Sequence, residues 1–398
     1  MTVKINKDKI NVREKLSELD KPSGIAGEAM LRADTPAEQF ELINAGRRNL
    51  VINGDMKVWQ RRANYTHDVT DATMPPIDYA TVDRFQSMNN DPASATAGVY
   101  TAEAEMYDNK LWHKHGCTTP YNSTDYIVRG AVYFVEQVGY SLGRPTPFQN
   151  KELTLSYLFR AKQNGQYGVS IGGPNDDFFT IFSFDYVGSG EAQKVSFTFT
   201  FPDEVPTGNK ALRIYFNYGV DSTHGRMSDD ENLNGVFAED VPGNDAGLTR
   251  ESDYPWWQVA GDWIAITEVQ LEFGSVATPF EHRSYGEELA LCQRYFQKNG
   301  STSGKNEGVS VAYSTTRLRG QFQSFATTMR TDPSVTLTDA EYYGNLNSSD
   351  QWITPSASSA NEPSVDGFCI DITAHAQSTF STSVAHPIQY GWEADAEL

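Results

Sequence analysis

Basic residues are scarce in this 398-residue chain: 32 lysines and arginines stand against 52 aspartates and glutamates, a net charge of −20. Nucleic-acid binding needs clustered cations to displace counterions from phosphates. No basic run is present, which argues against that partner and against an anionic membrane surface. Cysteine is scarcer still. Cys117, Cys292 and Cys369 lie far apart, with no CxxC or Cys–His spacing of a zinc site. The expectation is reduced thiols and folding in a cytoplasm. No N-terminal apolar stretch resembles a signal peptide and no run approaches transmembrane length, so membrane insertion is not expected and export would follow another route, such as lysis. HExxH is absent, as is any internal repeat of solenoid period, and Gly168-Val169-Ser170-Ile171-Gly172 spells Gly-x-Ser-x-Gly only within an expected strand, not at the strand-to-helix turn a nucleophile elbow needs. No enzymatic activity is expected on these grounds, although a carboxylate pair set roughly 5–9 Å apart for glycan hydrolysis has no sequence signature.

What is abundant is strand-forming material. There are 20 Tyr and 21 Phe, and 31 Gly with 18 Pro are spread as many short strands and tight turns require. Val195, Phe197, Phe199 and Phe201 alternate with Ser196, Thr198 and Thr200, the period-2 pattern of a sheet with one buried face. The expected fold class is all-β: a large antiparallel β-sandwich (jelly roll) plus a smaller C-terminal β domain, with short helices in an N-terminal arm and in the interdomain connection. Residues 1–48 read as an anchoring arm whose helix is capped by Thr35, Pro36 and Glu38. Residues 49–283 read as the jelly roll, 284–307 as a connecting helix and linker, and 308–398 as the small β domain. Ser284 and Glu287 form a second capping box, and Asn299-Gly300 is expected to stop that helix.

Three constellations could carry chemistry. Asp230, Asn232 and Asn234, followed by Gly235, match the first half of an EF-hand loop and suggest some divalent-cation binding. Position 12 is Val241 where the loop needs Glu, so a solvated acidic loop competes with that reading. His113 and His115 would place two imidazoles on one strand face, available to a metal on a molecular axis. Tyr254, Trp256 and Trp257, beside the acidic segment, have the composition of a carbohydrate-binding surface, as do Trp112 and Tyr121. If adjacent on a strand, the two tryptophans point to opposite faces, one to the core and one to ligand or to a subunit interface.

The stretch Asn49 to Arg61, with Asn53, Gly54, Asp55 and Trp59, resembles the opening strand of a module found in tailed-phage tail-fibre and other virion proteins. Asp83-Arg84-Phe85 resembles that module's Ala-Asp-Arg-Trp element. Trp263 to Glu272 and Ala277 to Glu281 resemble its closing strand and exit. Arg283 to Gln297 is the most specific match, and Met329-Arg330 with Pro333 and the ending Asp395–Leu398 complete it. Lys21 to Ala37 resembles attachment segments. The resemblance implies a carbohydrate-binding-module-like jelly roll in a trimeric virion appendage, with Asn53, Gly54, Asp55 and Trp59 in structural roles and Trp59 in the sandwich interior. Related jelly rolls place Glu, a structural calcium ligand, where this chain has Lys57, which puts that calcium site in doubt.

The function expected is therefore that of a fibre-like or adhesin-like structural virion protein of a tailed phage. It would be a homotrimer held to other virion proteins through residues 1–48, with host-surface glycan as its candidate ligand. The alternative is a purely structural capsid or tail decoration protein that binds only other virion proteins. A glycan hydrolase ranks third, because catalytic tailspikes are usually built on a long parallel β-helix that this sequence does not encode.

Overall fold

The computed structural model describes residues 48–68, 77–79, 81–90, 98–120, 128–136, 150–172, 178–201, 210–219, 226–227, 236–237, 249–250, 253–299, 306–346, 349–382 and 384–397. The chain divides into two compact units, Met1–Arg48 and Asn49–Leu398. The arm helix, Asp230, Asn232, Asn234 and Tyr121 lie outside the described residues.

The second unit is all-β, as the residue alternation requires. A six-stranded sheet runs in the order Asn64–Asp68, Val99–Tyr107, Lys110–Thr119, Trp263–Phe273, Glu152–Ala161, Gln193–Thr200, antiparallel throughout. A seven-stranded sheet contains Phe178–Tyr186, Gly165–Gly172, Lys210–Gly219, Val128–Glu136 and Phe85–Asn90 at its centre. Their inward side chains share one core, in which Leu155, Tyr157 and Phe159 of the first sheet meet Phe184, Tyr186 and Phe216 of the second. Val195 and Phe199 are buried and Phe197 half-buried, as the period-2 pattern demands. A nine-stranded sheet, centred on Asn306–Ser314, Ala385–Asp395 and Ser334–Leu346, closes over a separate core that includes Leu318, Tyr342, Phe368, Ile388 and Trp392.

Between these cores sits the helix Tyr285–Gln293, whose N-cap Ser284 accepts from the Glu287 amide at 3.3 Å. The helix ends at Gln293, not at Asn299-Gly300. After Tyr295 the chain is already the strand Phe296–Asn299, which pairs with Ala385–Asp395. Ladder formation with the last strand wins over continued helix there.

The motifs that are scattered in sequence converge on this junction. Asn53, at φ 62°, donates from Nδ2 to Val58 O (2.8 Å) and Asp83 O (2.9 Å) and accepts from Val58 N at 3.0 Å. Gly54 carries no side chain for a steric reason: a Cβ would lie 2.1 Å from Val269 O. The sharp bend is thus taken by Asn53, and the glycine serves close approach. Lys57, at the position where related jelly rolls carry the calcium-binding Glu, ion-pairs with Asp55. Trp59 corrects an expectation: it is 41% exposed, because Met56 and Val58 are the side chains that turn inward.

Arg283 donates to Val51 O (3.1 Å) and Glu288 (3.3 Å). Arg84, fully buried and at φ 71°, stacks 3.6 Å over the Tyr295 ring, donates to Phe134 O at 3.0 Å, and ion-pairs with Glu397. Arg61 lies 3.7 Å over Phe296 and reaches Asp395 (3.0 Å), Glu397 (3.4 Å) and Asp83 (3.8 Å). Two guanidinium groups from the sandwich are therefore neutralised by the last strand and tail of the C-terminal sheet. Removing one partner of a buried pair leaves an uncompensated charge, which costs about 3–5 kcal/mol. Asp83 is pushed up to about 6 because burial outweighs the favourable Arg61 charge and the Gln60 hydrogen bonds.

Glu397→Ala is expected to lower unfolding free energy by about 3–5 kcal/mol in denaturant titration; a change under ~1 kcal/mol would refute the buried-pair account. The Asp83 carboxyl has a higher pKa folded than unfolded, so the stability it contributes is present below about pH 4 and is lost as pH rises to about 6. Asp83→Asn removes this dependence, and the difference between the two stability–pH curves should amount to on the order of 2–3 kcal/mol.

Candidate functional site

The two faces of the six-stranded sheet have different chemistry, set by alternation. From Val99–Tyr107 and Lys110–Thr119, the side chains of Tyr100, Ala102, His113, His115 and Cys117 are buried between the sheets. Thr101, Glu103, Glu105, Tyr107, Trp112, Lys114 and Gly116 take the opposite face. Cross-strand register then lays one row through Glu103, Lys114, Ala265 and Arg160, and the next through Thr101, Gly116 and Trp263. The small residues Gly116 and Ala265 leave room for long neighbours to lie across them.

Arg160 fills that room. Its guanidinium carbon sits 3.3 Å over Tyr107, and 5.1 Å from both the Trp112 and Trp263 rings. It donates to Gly190 O at 2.8 Å and to Glu105 at 3.2 Å. Lys114 lies 5.2 Å over Trp263 and bonds Glu103 at 2.9 Å and Glu105 at 2.8 Å. Burial alone would lower the Lys114 pKa, but the Glu105 and Glu103 hydrogen bonds and charges outweigh it and raise it above the ordinary lysine value. Tyr107 donates its hydroxyl to Glu191 at 2.8 Å. Trp112 is buried beneath this layer, while Tyr107, Trp263, Glu103 and Glu105 remain half-exposed. The result is a face on which half-exposed aromatic rings lie beside carboxylates and an ammonium that are already paired with one another. Aromatic faces next to fixed acceptors and donors suit a hydroxylated, ring-shaped ligand.

Tyr254, Trp256 and Trp257 do not form such a surface. Trp256 and Trp257 are 2% and 1% exposed. They lie on a 3-10 turn, Trp256–Gln258, not on a strand, so the expectation of opposite faces fails and both indoles enter the sandwich core, ring planes at 88°. Tyr254 packs on Tyr167 at 5.8 Å and donates to Asp262 at 2.6 Å. Pro255 starts the turn, a signal that could have warned against a strand. Trp263, by contrast, sits at the start of an alternating run, and only its cross-strand neighbours reveal its setting.

His113 and His115 do share a face, with ring centroids 4.3 Å apart, but it is the interior one, so no second chain can reach them. His113 meets Thr81 Oγ1 at 3.1 Å. Burial lowers His113 well below the ordinary value, helped by His115, and takes His115 to about 4. Among the described residues, no three His, Cys, Asp or Glu side chains gather in a metal-binding group. A separate cleft of about 380 Å³ opens at the junction between Arg61, Arg62, Phe296, Thr336, Glu393 and Asp395.

No protein-family profile matches the chain, and no curated protein matches it. Among solved structures, one titled "CBM4 structure and function" aligns over 56% of this chain and 98% of its own at 12% identity, TM-score 0.26. A cyclase from Fischerella sp. TAU aligns over 54% of this chain and 100% of its own at 11% identity, TM-score 0.28. The enzymatically active domain of tailspike protein 4 of bacteriophage CBA120 aligns over 56% of this chain and 21% of its own at 7% identity, TM-score 0.23. Likeness this low leaves ligand and activity to be read from the chain's own residues.

Because both histidines are held neutral by burial, an NMR pH titration should find the His115 midpoint near 4 and the His113 midpoint well below the ordinary histidine value in the folded protein. Midpoints near 6.5 would contradict the buried placement.

Proposed function

We propose that this chain is a structural protein of a tailed-phage particle and binds glycan through the outer face of its six-stranded sheet. The observation that carries the binding role is the Arg160-centred layer, which fixes the half-exposed Trp263 and Tyr107 beside Glu103 and Lys114. A sugar ring would pack its C–H face on Trp263 and exchange hydrogen bonds with the carboxylates and ammonium. The oxygens of Glu103 and Glu105 already accept from Lys114, and Glu105 also from Arg160, which favours a binding surface over hydrolysis, where one carboxyl must donate a proton.

The particle assignment rests on the resemblance of Asn49–Arg61 and Arg283–Gln297 to virion modules. In this reading residues 1–48 attach to other virion proteins, the chain is a homotrimer, and three weak sites on one particle gain avidity from effective concentration. A purely structural role is the second reading. It is favoured by one observation: the resemblance-bearing residues Asn53, Arg84, Arg283 and Tyr295 are engaged inside the junction, where they hold the fold.

Immunogold labelling of purified particles tests the location; an unlabelled particle refutes it. For the ligand, binding to host cells and to printed glycans is measured for wild type and Trp263→Ala. Loss of one stacking contact should weaken binding roughly five- to tenfold in protein that still folds. Equal binding by the two proteins refutes the site, and no binding by either supports the purely structural role.

A further inference from the structure

The outer face of the nine-stranded sheet carries a second aromatic feature, far along the chain from the first. Tyr343 and Trp352 stand directly opposite each other on the paired strands Ser334–Leu346 and Ser349–Ile353. Their inward neighbours Tyr342 and Ile353 fill the core, so alternation sends these two rings outward. The rings are 5.5 Å apart at 72°, and remain 40% and 38% exposed. One step along the same face, the opposed pair Asn345 and Asp350 is joined by a 3.1 Å hydrogen bond. On the other side Gln389 donates to Glu341. Two rings nearly at right angles are thus flanked at each end by an amide and a carboxylate.

We propose that this corner is a second sugar-binding site, taking a single ring of an uncharged glycan. The proposal rests on the reading that the chain binds glycan. Rings meeting at a right angle contact one pyranose on its face and along its side, whereas coplanar rings would stack successive units of a chain. The sugar's C–H groups pack on Tyr343 and Trp352, its hydroxyls donate to Asp350 and Glu341, and the Asn345 and Gln389 amides donate to its oxygens. Charge selects the class. None of these six residues is cationic, two carboxylates face the ligand, and the chain carries −20 overall, so a sialic or uronic acid would be repelled. A Tyr–Trp pair serving only to hold the hairpin together would satisfy itself by mutual ring contact. Here it leaves more than a third of each side chain open beside ready hydrogen-bonding groups.

The probe is an array of neutral, sialylated and uronic-acid-bearing oligosaccharides, followed by calorimetric titration of the strongest neutral one. The expected result is binding to neutral sugars with two sites per wild-type chain. Trp352→Ala should remove one site, and Tyr343→Ala should weaken it roughly five- to tenfold. Asp350→Ala, at an exposed position, should weaken the same site without removing a ring, which separates sugar contact from any effect on the hairpin. The proposal is overturned if Trp352→Ala and Asp350→Ala leave stoichiometry and affinity unchanged, if only acidic sugars bind, or if nothing on the array binds. Trp263→Ala should weaken the other site; if it leaves binding unchanged while Trp352→Ala removes a site, the sandwich site fails and this one stands.

Discussion

The structure depends on the neutralisation of Arg84 inside the protein. A guanidinium group cannot lose its proton, so burial has to be matched by a fixed counter-charge and by hydrogen bonds. Glu397 supplies the charge, Phe134 O accepts one of the N–H groups, and the Tyr295 ring covers the flat face. Each of these partners comes from a different part of the chain: a sandwich strand, the end of the connecting helix, and the tail of the C-terminal sheet. Their meeting at one side chain sets where the second core lies against the first. Arg61 repeats the arrangement over Phe296 with Asp395 and Glu397, so the junction is a two-arginine clamp closed by one acidic tail.

The same pairing of a flat cation with aromatic rings recurs on the outer face of the six-stranded sheet, with a different outcome. Arg160 is inserted among Tyr107, Trp112 and Trp263 from the solvent side, and its charge is met by Glu105 and the Gly190 carbonyl. In the junction the stack is sealed by a second core. On the sheet face Arg160 and Trp112 are buried within the layer itself, and Tyr107 and Trp263 at its margin stay half-exposed. One interaction type thus builds an internal joint in one place and the proposed recognition surface in the other, depending on what lies above it.

The β architecture was legible because period-2 alternation is a local property: Val195 to Phe201 needs only its own sequence to show which side is buried. The junction was legible only as a set of resemblances. Nothing within Asn53-Gly54 or Asp83-Arg84 indicates that both meet at one junction, since their partners Glu288 and Glu397 lie hundreds of residues away. Trp256 and Trp257 were misplaced for a related reason. Local composition showed two tryptophans beside an acidic loop, but a 3-10 turn after Pro255 directs both indoles inward, and a turn follows no strand parity. Trp59 failed in the opposite sense: the resemblance implies an interior side chain, but after the left-handed residues Asn53 and Met56 it is Val58 that turns inward. The outer-face cluster was missed because Arg160 and Trp263 are ordinary in sequence and become neighbours only through the sheet register.

The separation between the two ends of the clamp has a kinetic meaning. Arg84 and Glu397 are 313 positions apart. At a synthesis rate of about 5–20 residues per second, the arginine leaves the ribosome roughly 15–60 seconds before its carboxylate exists. The sandwich strands from Val99–Tyr107 to Trp263–Phe273 are made during that interval, before the carboxylate that neutralises Arg84. The Arg84–Glu397 pair is therefore among the last contacts that synthesis of these residues makes possible.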